Sequence, residues 1–169
     1  MIWLRTIVVL LSTLIGTHAG ADDETVADDV DTDIEILVAR VLPRAKTDLR
    51  LHGGFLPFGG ALMADGQIGL VSGKKPATAE DLENVTLDVA LSLRLLVREK
   101  EARAICLAAL VHTTPPGQTK KTDAIWLRVE HRAGLSKSVF HPYEILDSGR
   151  LQLGTPFKIT ESREFFDIE

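Results

Sequence analysis

Apolar positions along the chain follow two different periods, and the switch between them lays out a fold. Ile34, Val38, Val41, Ala45 and Leu49 recur at helical spacing and predict a first amphipathic helix. Pro43 falls inside that pattern, which predicts a kink near Arg40 to Leu42 or two short helices in succession. Gly53-Gly54 supplies the helix stop. After an apolar loop over Phe55–Gly60, the runs 61–64 and 67–71 flank Asp65-Gly66, the sequence of a two-residue type I′ hairpin turn. Thr78 then opens a second helix, with Asp81 at the third helical position in the manner of a capping box. Leu82, Val85, Val89 and Leu96 form its buried stripe, with Leu93 beside it.

Beyond Glu101 the period becomes two. Ala104–Thr113 is apolar on both faces, as a central strand covered from both sides must be. Asp123–His131 and Ser136–Tyr143 read as two further strands joined near Ala133-Gly134. A last strand over Leu151–Ile159 is interrupted at Pro156, which confines its second half to an edge. The order α-β-β-α-β-β-β predicts a single α+β domain, with two main helices on an antiparallel sheet of about five strands.

The residues ahead of this pattern change the picture of compartment. Arg5, an apolar run to Ile15 and the small residues Gly16–Ala21 have the form of a cleavable signal peptide over residues 1–21. The apolar run is shorter than the roughly 20 residues a spanning helix needs, so no stable membrane anchor is expected after cleavage. Cleavage after Ala21 or Ala19 would deliver the chain to the periplasm or the exterior. Residues 22–33 carry seven acids and read as a disordered lead-in, leaving 34–169 as the domain. Removing residues 1–21 takes away Arg5 alone among the charges, leaving 18 basic against 24 acidic residues and a net charge of −6. That balance argues against a nucleic-acid partner. Cys106 is the single cysteine, so no intrachain disulfide can form and packing must hold the fold.

Catalytic motifs fail on inspection. Ser72 stands one place late for a nucleophile elbow, and Gly73-Lys74-Lys75 lacks both the opening glycine and the hydroxyl of a phosphate loop. Asn84-Val85-Thr86 matches a glycosylation sequon but lies within a helix pattern. His52, His112, His131 and His141 show no metal-ligand spacing, and no cofactor is implied. Cys106 lies among aliphatic residues, where a thiol is inert.

One surface is less bland. A two-residue turn at Ala133-Gly134 would set Trp126 opposite His141 and Arg128 opposite Val139. Trp126, Arg128, His141 and Tyr143 would then share one side of the sheet, with Ile125, Leu127, Val129 and Phe140 on the other. Trp, Tyr and Arg are the residues that binding patches favour. A non-catalytic module that binds a protein partner or pairs with itself is the leading expectation. The alternatives are a small enzyme or ligand carrier with a pocket near Phe55, Phe58, His112 and His131, and an immunity-like inhibitor.

From Leu49 to Val71 the chain resembles a group of short bacterial proteins in which a helix runs into a G-x-F-x-P-F-G loop and then a D-G hairpin. The matching residues are Gly53, Phe55, Pro57, Phe58, Gly59, Asp65 and Gly66. Glu130–Gly134 followed by Pro142-Tyr143 resembles their later hairpin, with Ala133 where an acidic turn residue is more usual. The resemblance implies a fold and no catalytic residues. In element order the chain is also similar to roadblock/longin-type interaction domains, an analogy of fold alone.

Overall fold

A computed structural model describes residues 21–74, 82–99 and 101–167. Residues 1–20 of the signal-peptide reading (1–21) and the Thr78–Asp81 cap lie outside the described residues. Helix α1 (Ala21–His52) and helix α2 (Leu82–Arg98) cover opposite faces of one antiparallel sheet. Its strands are β1 (Phe58–Met63), β2 (Ile68–Ser72), β3 (Ala102–Thr113), β4 (Thr122–His131), β5 (Ser136–Ile145), β6 (Leu151–Leu153) and β7 (Phe157–Thr160). They run β2-β1-β3-β4-β5-β6, and β7 also pairs with β5. The expected α+β class holds. Seven strands stand where about five were expected: the segments read above already number six, and the last of them is two pieces, β6 pairing with Tyr143–Ile145 and β7 with Lys137–Phe140, with Pro156 between them.

Two expectations for α1 are revised. The helix is continuous through Pro43 and extends back through the acidic segment to Ala21. Asp33, assigned above to a disordered lead-in, is buried. On α1, Ile34, Leu37, Val41, Ala45 and Leu49 are buried against Ala104, Cys106, Ala108, Ile125, Leu127 and Val129. On α2, Val89, Leu93 and Val97 pack on Ala61, Ile105 and Leu107. Strand β3 alternates between these two cores, which explains its apolar residues on both sides.

Gly59 and Gly60 belong to β1 rather than to a loop, and each admits one helix. A Cβ at Gly60 would meet Val41 Cγ2 at 2.8 Å, and one at Gly59 would meet Leu93 Cδ1 at 2.8 Å. Successive strand residues point to opposite faces, so this adjacent pair lets both helices approach the same strand.

The hairpins share one loop. Ala64-Asp65-Gly66, Arg132-Ala133-Gly134 and Asp147-Ser148-Gly149 are each closed by two bonds of the same kind. Met63, His131 and Leu146 donate to the carbonyls of Gln67, Leu135 and Arg150, and each loop glycine donates back to the first residue. All three glycines have positive φ (86°, 111° and 76°). This is the three-residue connection of a type I turn closed by a left-handed glycine, not the two-residue type I′ turn expected from Asp65-Gly66.

Candidate functional site

The extra loop residue changes where the expected binding face lies. Trp126 stands opposite Phe140 and Arg128 opposite Ser138, while His141 stands opposite Ile125. A slip of one position sends every side chain of a strand to the other face. Trp126 and Arg128 therefore face the α2 side, and His141 and Tyr143 face α1, so the four residues form no common surface. Phe140, expected in the core opposite Trp126, is instead its neighbour and stacks on Phe157 with centroids 4.8 Å apart. Tyr143 packs at the margin of the α1 core. Burial raises its phenol above the ordinary value, and the charge of Asp123 adds to this. His141 is half-buried, and burial lowers its pKa, followed by the nearby charge of Lys46. Its Nε2 is enclosed without a hydrogen-bond partner among the described residues.

Arg128 is buried and holds the chain's own C-terminal segment. Its Nη2 donates to Glu130 Oε1 at 2.7 Å and to the Ser162 carbonyl, and Nη1 lies 3.6 Å from Glu161. Glu130, with no exposed surface, accepts the backbone N–H groups of Glu164 at 2.8 Å and Phe165 at 2.9 Å. Ser136 Oγ also donates to the Ser162 carbonyl. The segment 161–167 is thus latched over the α2-side core, with Phe165 buried in it. An Arg placed two residues before a Glu on the inward side of a strand was the signal available for this latch.

A second polar cluster holds the α1 side. The N–H of Ala133 donates to His131 Nδ1 at 3.0 Å, which leaves Nε2–H to donate to Asp33 Oδ2 at 3.1 Å. Arg103 donates to the other Asp33 oxygen at 2.8 Å. Arg103 is the extra residue of a bulge, since Met63 pairs with Ala102 and Leu62 with Ala104. The cluster pins α1 to the ends of β3 and β4.

The expected pocket of converging histidines does not form. His131 is in this buried cluster, paired with Ala104, whereas His112 pairs with Asp123 eight residues further along β3, a separation of roughly 26 Å at strand rise. His112 is exposed, with Nδ1 2.5 Å from Asp123 Oδ1. Phe55 and Phe58 do meet, edge to face at 5.6 Å, and line a cleft of about 630 Å³ with Arg44, Asp48, His52 and Leu110. Among the described residues no group of three or more His, Cys, Asp or Glu could hold a metal ion. Cys106 is buried, and burial pushes its thiol up to about 12.

Trp126 keeps a place at a surface. Its Nε1 donates to Ser138 Oγ at 2.8 Å, and its ring floors a groove of about 370 Å³ with Leu87, Ala90, Leu107, Arg128 and Phe165. Beside that groove, Leu87, Leu91 and Leu95 are 52 %, 48 % and 53 % exposed. At a spacing of four they form one ridge on the outward face of α2. No helix among the described residues is long and apolar enough to cross a membrane. Compared with family models, curated proteins and solved structures, the chain matches none.

Proposed function

We propose that this is an exported, non-catalytic module that works by associating with a second copy of itself through the outward face of α2. The observation that carries the reading is the ridge Leu87–Leu91–Leu95, half-exposed and continuous with the groove over Trp126. Contiguous apolar surface of this kind marks interaction sites. The ridge is also self-complementary. A two-fold axis at Leu91 sets Leu87 of one copy against Leu95 of the other and Asp88 against Arg94, so each contact occurs twice with opposite charges facing. Arg94 already reaches Glu164 at 2.6 Å, which holds its side chain on this face. Trp126 contributes as the groove floor, and Arg128 indirectly, by fixing the segment that forms the groove's far wall.

Size-exclusion chromatography with light scattering on the chain from Asp22 onward tests this. The expected result is a concentration-dependent dimer that Leu91→Glu converts to monomer while the circular dichroism spectrum is unchanged. A wild-type chain that stays monomeric up to about 1 mM, the range of weak specific association, overturns the proposal.

A further inference from the structure

The cleft at the C-terminal end of α1 joins an apolar floor to the most basic stretch of an acidic protein. From Arg40 to His52 the chain carries Arg40, Arg44, Lys46 and Arg50 against Asp48 alone. Cations in the last turn of a helix offset its dipole, which accounts for Arg50. Arg44 and Arg40 stand more than two turns upstream and need another reason. Arg44 lies over the Phe58 ring, 4.5 Å from its centroid, and crosses the cleft to donate to Ser72 Oγ at 3.3 Å. Its Nε faces Asp48 at 3.7 Å. A guanidinium has five N–H donors, so these partners leave part of its fork for a ligand. Phe58 beneath it is buried, the cleft's accessible apolar lining is Phe55, Leu56 and Leu110, and a second hollow of about 380 Å³ continues past Arg44 to Arg40 and Leu70.

We infer that this cleft binds an amphipathic organic anion, with its apolar body on Phe55, Leu56 and Leu110 and its acid group paired to Arg44. The volume is that of a small-molecule site, which characteristically combines an apolar lining with a few placed polar groups. Charge complementarity selects the anion: Arg40 and Arg44 outnumber Asp48 along the two hollows. The apolar floor selects an alkyl or aryl acid over a small hydrophilic one. The site lies on the α1 side of the sheet, opposite the α2 ridge, so it stands whether or not the chain pairs with itself.

Calorimetric titration with decanoate below its micelle range, with amide shifts followed by NMR, tests the assignment. Decanoate is expected to saturate the protein and to shift amides of Phe55, Phe58 and Ser72, on the wild type and on Leu91→Glu alike. Arg44→Gln should weaken it by about tenfold, the loss of one charge-assisted pair. Arg44→Lys keeps the charge but loses the planar fork stacked on Phe58, and should fall between wild type and Arg44→Gln, whereas Arg98→Gln on α2 should change nothing. Decyltrimethylammonium should not compete, and neither should sulfate at matched ionic strength. Decanoate binding that is unaffected by Arg44→Gln, or that maps to Lys120 and Lys121, overturns the inference. Equal binding of the cationic surfactant, displacement by sulfate or no binding at about 1 mM would do the same.

Discussion

The two sides of the sheet are built on opposite principles. On the α1 side, a 32-residue helix lays five apolar side chains on an aliphatic surface, and its polar cluster stands at one end. On the α2 side, a 17-residue helix covers only part of the sheet, and the chain's own C-terminal segment covers more of it. That segment is held by a buried Arg128–Glu130 pair. Apolar burial is non-directional and tolerates a register error locally, whereas a buried ion pair offsets its desolvation only through directed hydrogen bonds. The second arrangement fixes position at a cost in desolvation. It also leaves the leucine ridge of α2 facing outward, since the tail crosses beside the helix rather than over it.

The sharpest way to break this contrast is Glu130→Ala. Removing the carboxylate takes away the buried partner of Arg128 and strands two backbone donors in the interior, and should cost about 3–5 kcal/mol in urea unfolding. Converting both residues together, Arg128→Met with Glu130→Leu, should cost less than Glu130→Ala alone, because no uncompensated charge remains. A double variant as unstable as the sum of its parts would remove the ionic latch from the account.

Leu37→Ala probes the other side and should cost about 2–5 kcal/mol through the cavity it leaves. Cys106 reports on this face, because it is fully buried beneath α1 with its thiol pushed up to about 12. Labelling by an aromatic disulfide at pH 8 should be negligible in the native wild type and measurably faster in Leu37→Ala. Equal labelling rates in the two proteins would mean that Cys106 is reached by a local opening that leaves Leu37 packed, and that this contact does not seal the thiol.

The smallest expected effect is a pH dependence centred on His141. Its folded pKa is lowered, so the unfolded chain binds the proton more readily. Stability from this group is fully present above the unfolded value near 6.5 and is lost as pH falls below it toward the folded value. His141→Gln should flatten that part of the stability profile and leave the plateau above pH 7 within about 0.5 kcal/mol, as for a partly exposed site. An unchanged slope would assign the pH dependence to another group.

Helices, strands and their order were legible because periods of 3.6 and 2 survive in the residues themselves, and Gly53, Gly66 and Gly134 marked real turns. The covered central strand was legible too, since Ala104–Ala109 has no polar side chain to send to solvent. The proposed binding face was not. Each hairpin glycine announces a turn without stating whether two or three residues bridge it, and that one residue decides which face receives Trp126, His141 and Tyr143. Where both sides of a sheet are buried, the alternation of apolar residues is compatible with either register.

Composition and pattern alone therefore determined the α+β class, the two helices, the hairpins and the reliance on packing without a disulfide. Tertiary structure decided the strand register, the recruitment of Asp33 from an acidic tract into a buried cluster, and the use of Arg128 and Glu130 to hold the tail. The reason is range. Periodicity and turn chemistry act between near neighbours, whereas Asp33 finds His131 and Glu130 finds Phe165 only once distant segments are brought together.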